Sequence, residues 1–93
     1  MLQFEEQRLR LEGLAPELAD LKEALALEEG DKKIEALEAE TTEPGFWDDN
    51  KNSKKVLQEI GFLKGRKSAF LSLQSEYDDA LVLIELADEA ESF

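Results

Sequence analysis

A chain of 93 residues with 23 acidic and 11 basic side chains, a formal charge of −12 and neither Cys nor His is one small domain with a thin core. The missing residue types exclude disulfides, thiolate and imidazole chemistry and ordinary zinc sites, and the acidic surplus argues against direct nucleic-acid binding, because phosphates attract a positive surface. No apolar run approaches the ~20 residues of a membrane span, and no basic-then-apolar order marks a signal peptide, so the expectation is a soluble cytoplasmic protein without a membrane partner.

The first predicted helix covers about residues 2–27. Phe4, Leu11, Leu14, Leu18, Leu21 and Leu25 step by threes and fours, with Gln7 interrupting, and form one apolar seam. Pro16 lies inside it, removing one backbone donor and crowding the carbonyl of Glu12, which predicts a kink or a restart; the unbroken phase of the seam favours the kink. Gly30 is placed to end this helix with a left-handed cap. Asp31 then reads as the N-cap of a second helix over about 31–42, with Ile34, Leu37 and Thr41 on one face and Glu35, Glu38, Glu40 and Glu43 left to water.

The clear break in the pattern is Pro44-Gly45-Phe46-Trp47-Asp48-Asp49. Pro presets its own φ and Gly accepts positive φ, which makes a turn. The only Trp of the chain sits there beside a Phe. So much aromatic surface in one corner predicts that Phe46 and Trp47 seal one end of a helical bundle. Burial of the indole would make Trp47→Ala cost about 3–5 kcal/mol; the other reading leaves Trp47 exposed as an anchor for a partner. Asp48 and Asp49 offer oxygens to the first amides of the next helix. Pro44, Phe46, Trp47 and Asp49 are the candidate structural corner.

The third helix runs over about 50–90. Val56, Ile60, Leu63, Phe70, Tyr77, Leu81 and Ile84 keep one register, interrupted by Lys67 and Gln74. Gly61 and Gly65 mark a close helix contact or a flexible joint, and a break near 72–75 is an alternative. Charge is segregated along this helix. Lys51, Lys54, Lys55, Lys64, Arg66 and Lys67 face a single Glu59 between residues 51 and 67, whereas from Glu76 onward seven acidic residues meet no basic one. The six cations are candidate contacts to RNA or to an acidic protein face; alternatively they pair internally with the acidic first and second helices.

Chemistry-bearing patterns are absent. There is no phosphate-binding Gly loop, nucleophile elbow or EF-hand loop, and Glu85 with Glu89, one helical turn apart, is best read as solvated acid. The chain is therefore expected to be no enzyme and to hold no cofactor or metal. The fold class that follows is all-α: an antiparallel bundle of three to four helices with coiled-coil-like long members.

The order of these features resembles the N-terminal domain of bacterial class-I peptide chain release factors. The residues that carry the likeness are the Leu37-Glu38 helix end, Glu43-Pro44-Gly45-Phe46-Trp47-Asp48-Asp49, the start Lys54-Lys55-Val56-Leu57-Gln58-Glu59-Ile60, and the closing Leu83-Ile84-Glu85-Leu86-Ala87-Asp88-Glu89. The Phe-Trp-Asp-Asp corner is similar to that of the members reading UGA and UAA. Asn50 departs from the Pro of the family pattern, which weakens the helix start.

The resemblance implies a fragment of a cytoplasmic translation-termination factor, a docking module carried at the stalk base of the large ribosomal subunit and linked to the termination GTPase. In that family a Ser-Pro-Phe tripeptide reads the stop codon and a Gly-Gly-Gln loop hydrolyses the peptidyl ester. Neither occurs in these residues, so no decoding or hydrolytic residue carries over. An acidic coiled-coil adaptor or chaperone-like dimer unrelated to termination is the alternative.

Overall fold

The computed structural model describes residues 4–91, and it is all-α. Three helices follow one another: α1 (Glu5–Ala24), α2 (Leu27–Glu40) and α3 (Asn50–Glu91), with one 3-10 turn, Phe46–Asp48, between the last two. The helices gather into two compact units. The first takes α1 with α3 from Phe70 onward, and the second takes Leu25–Ala69.

In the first unit α1 and the C-terminal half of α3 pair antiparallel. Arg8, near the start of α1, forms an ion pair and hydrogen bond with Asp88, near the end of α3, while Leu18 and Phe70 are buried further along. Pro16 lies within a single unbroken α1, so no restart occurs; the donor it lacks leaves only the carbonyl of the exposed Glu12 without an amide partner.

The second unit is an antiparallel pair of α2 and the first half of α3, tied by Lys33–Glu59 at 3.1 Å, Lys64–Glu38 at 3.6 Å and Lys67–Asp31 at 2.9 Å. Its core is Phe46, Val56 and Ile60, with Leu37 of α2 against them. A two-helix pair has one buried seam and no second layer, which keeps the list of fully covered residues short.

The first break falls earlier than Gly30. Leu25 and Ala26 form a turn in which Ala26 takes a left-handed conformation, φ 50 and ψ 49. Gly30 and Asp31 lie inside α2, where Gly30 donates to the Ala26 carbonyl at 2.9 Å and Asp31 pairs with Lys67. A left-handed Ala costs roughly 1–2 kcal/mol. Arg66 offsets part of that by donating to the Leu25 carbonyl at 3.1 Å, which the turn releases from the helix.

Helix α3 passes through residues 72–75 without interruption. Its predicted register holds: Val56, Ile60 and Phe70 are buried, and Leu63, Tyr77, Leu81 and Ile84 are half-buried. A Cβ added at Gly61 or Gly65 would meet nothing within 4 Å, so neither glycine serves a close helix contact.

Candidate functional site

The corner between α2 and α3 is built from the ends of the two helices. The last turn of α2 leaves carbonyls without helical partners. Thr41 and Thr42 turn their hydroxyls back onto two of these, donating to Glu38 at 2.6 Å and Ala39 at 2.8 Å. Their own amides, with that of Glu43, donate three residues back and tighten the end.

The chain then reverses through Glu43–Phe46, where the Phe46 amide donates to the Glu43 carbonyl at 3.2 Å. Pro44 occupies the second position, and Gly45 the third with φ 84 and ψ −6. That is the backbone of a type II turn, whose third residue needs positive φ and so selects glycine.

Phe46 and Trp47 part company at this point. Phe46 is 8% exposed and fills the seam between Leu37, Val56 and Ile60. Trp47 is 57% exposed, which overturns the expectation that both rings are buried. Adjacent residues on a tight turn point in different directions, and a seam between only two helices accommodates one ring. The indole packs edge-to-face on Phe46, with centroids 4.8 Å apart at 83°. Its Nε1 donates to the Thr41 carbonyl at 3.1 Å, capping a further carbonyl at the end of α2.

Helix α3 is fixed from its first turn. The Asp49 carboxylate accepts from the Asn52 amide at 3.1 Å, an N-cap contact that favours the helix by about 1 kcal/mol. Asn50 is the first helical residue. Ser53 is buried, and its hydroxyl lies 2.7 Å from the Phe46 carbonyl and 2.9 Å from that of Asp49. One hydroxyl proton serves one carbonyl at a time, and the contact clamps the aromatic turn onto the helix it precedes.

The six cations divide into two sets. Lys64, Arg66 and Lys67 are engaged within the second unit, with Glu38, the Leu25 carbonyl and Asp31, and the Arg66 guanidinium also lies over the Phe62 ring, 5.6 Å from its centroid. Lys51, Lys54 and Lys55 are exposed and form no ion pair among the described residues. At 3.6 residues per turn they project away from the face that buries Ser53, Val56 and Ile60. The corner thus presents an exposed indole just before three unpaired lysines, on a backbone held by the side chains of Thr41, Thr42, Trp47, Asp49 and Ser53.

The chain is similar over most of its length to several curated proteins. It is 34% identical over 79 residues to peptide chain release factor 2 of Acholeplasma laidlawii, which covers 85% of this chain and 22% of that protein. Against proteins of the same name it is 32% identical in an Exiguobacterium species and 33% identical in Lactiplantibacillus plantarum, over 88 residues and 95% of this chain in each. The chain matches a segment of peptide chain release factor 2 over 85–95% of its own length. It spans 24% and 23% of the length of the latter two relatives. No protein-family model matches the sequence, and no solved structure matches it significantly.

Trp47, Lys51, Lys54 and Lys55 are all exposed at this corner. Among the described residues no group of three or more acidic side chains is arranged to hold a metal ion, and no helix is long and apolar enough to cross a membrane. Sequence reasoning missed the split among the cations. The available signal was the acidic face of α2: Asp31, Glu35 and Glu38 recur at helical spacing, and an antiparallel partner brings them to the later basic residues and away from the first three.

Proposed function

We propose that the chain is the docking module of a translation-termination factor, the N-terminal helical part of a longer protein that directs stop-codon-dependent peptide release on the ribosome. The observation that carries this reading is the match of 85–95% of the chain to proteins named peptide chain release factor 2. Reading of UGA and UAA and hydrolysis of the peptidyl ester then belong to other parts of that longer protein, since this segment has neither the Ser-Pro-Phe nor the Gly-Gly-Gln sequence. Its own task is to bind and position, without a reacting group or cofactor.

The arrangement at the corner suits such a task. A rigid turn presents Trp47 at low conformational cost, and the indole is a side chain that interfaces favour. Lys51, Lys54 and Lys55 add positive charge on one side of the same helix start, which matches a phosphate- or carboxylate-rich surface despite the net charge of the chain. The partners in this reading are the stalk base of the large ribosomal subunit and the termination GTPase, and the location is the cytoplasm.

The test is a peptide-release assay on ribosomes programmed with UGA, UAA or UAG, comparing the longer protein with a version lacking residues 1–93. Weaker binding, with the codon preference and the saturated release rate retained, is the expected result. Loss of codon preference, or an equal affinity without the segment, would overturn the assignment.

A further inference from the structure

The first unit carries a feature that the corner does not use. Along one side of the α1–α3 pair runs an open apolar cleft of about 380 Å³. Leu11, Leu14, Leu18 and Leu21 form one wall, spaced three and four apart on α1, and Leu73 and Tyr77 form the other. Leu14 is 43% exposed and Leu73 is 42% exposed, so the groove lies open to water. Its charged lining residues are Glu17 and Glu76, one on each wall, and no basic side chain lines it.

Charge identifies the occupant. Residues 1–24 and 70–93 hold thirteen acidic against three basic side chains, which is ten of the twelve net negative charges of the whole chain. A second copy would bring the same acidic surplus against this one, and an anionic lipid surface would be repelled likewise. We propose that this cleft is a docking groove for a basic amphipathic helix of a partner protein. Leucine-like side chains at helical spacing enter between the two walls, and lysines or arginines on the flanks meet Glu17 and Glu76. The inference rests on the first unit alone and does not depend on the role proposed for the corner.

The probe is a fluorescently labelled 18-residue helical peptide with leucines at positions i, i+3, i+4 and i+7 and lysines elsewhere, titrated with the 93-residue chain; a second peptide carries glutamates in place of the lysines. Micromolar binding of the lysine peptide alone is expected. Leu14→Ser and Leu73→Ser, with unchanged circular dichroism, weaken it by about tenfold, as loss of a central anchor does. Leu83→Ser, 65% exposed and outside the groove, leaves it unchanged. Glu17→Lys with Glu76→Lys shifts the preference toward the glutamate peptide without requiring any buried residue to change. Equal binding of both peptides, unchanged binding by the groove variants, or sedimentation of the chain as a dimer that Leu14→Ser dissociates would overturn the proposal.

Discussion

Phe46 and Trp47 are neighbours in sequence with opposite fates, and the difference has an energetic signature. Truncating Phe46 empties the seam between Leu37, Val56 and Ile60, so Phe46→Ala lowers the unfolding free energy by about 3 kcal/mol. Trp47→Ala removes one hydrogen bond and one edge-to-face contact from an exposed position and lowers it by about 1 kcal/mol. Urea denaturation followed by circular dichroism separates the two; a larger loss for Trp47 than for Phe46 would contradict their placement. The intact chain emits as a solvent-exposed indole, and a blue-shifted spectrum would contradict the same point. That the corner carries bulk apolar surface was legible from composition. Which ring turns inward was not, because it depends on the type II turn at Pro44-Gly45 and on the Thr41 carbonyl that takes the indole N–H. Asp49 was legible as a cap, since a short carboxylate just before a helix start has one common use.

At the scale of the helix, α3 was legible nearly throughout, since each residue of its predicted register is buried or half-buried, and even the interrupting Lys67 and Gln74 are half-buried. The place where α1 gives way to α2 was not legible. Gly30 is the residue that local preference selects for a left-handed end, yet the chain turns at Ala26, where Arg66 reaches the Leu25 carbonyl. That contact joins residues 41 positions apart, and no local rule anticipates it. Two predictions follow from the backbone. Ala26→Gly removes the strain of a left-handed Ala and is neutral or stabilising by up to about 1 kcal/mol, whereas the same change within a helix costs that much. Gly61→Ala and Gly65→Ala each stabilise the chain by about 1 kcal/mol, since open space receives the added methyl group. Thermal melts check both; a lower midpoint for the alanine variants would mean that those glycines serve a contact or a joint.

For the whole molecule, the all-α class and the antiparallel pairing of its helices were legible from apolar periodicity. The uneven charge was legible along α3 but acquired meaning only with the pairing: Lys64, Arg66 and Lys67 are engaged by α2 and the turn before it, and Lys51, Lys54 and Lys55 are left to water. An exposed ion pair contributes at most about 1 kcal/mol, so the paired set chiefly fixes register, while the unpaired set is available to a partner. The most direct measurement is therefore the affinity of the longer protein for stop-codon-programmed ribosomes when Lys51, Lys54 and Lys55 are all changed to Glu, set against a control with Lys22→Glu and Lys32→Glu. A docking role predicts that affinity falls by roughly tenfold or more in the triple variant alone, with steep salt dependence in the parent and an unchanged release rate at saturation. Equal affinities in the parent and the triple variant, or the same loss in the control, would contradict it.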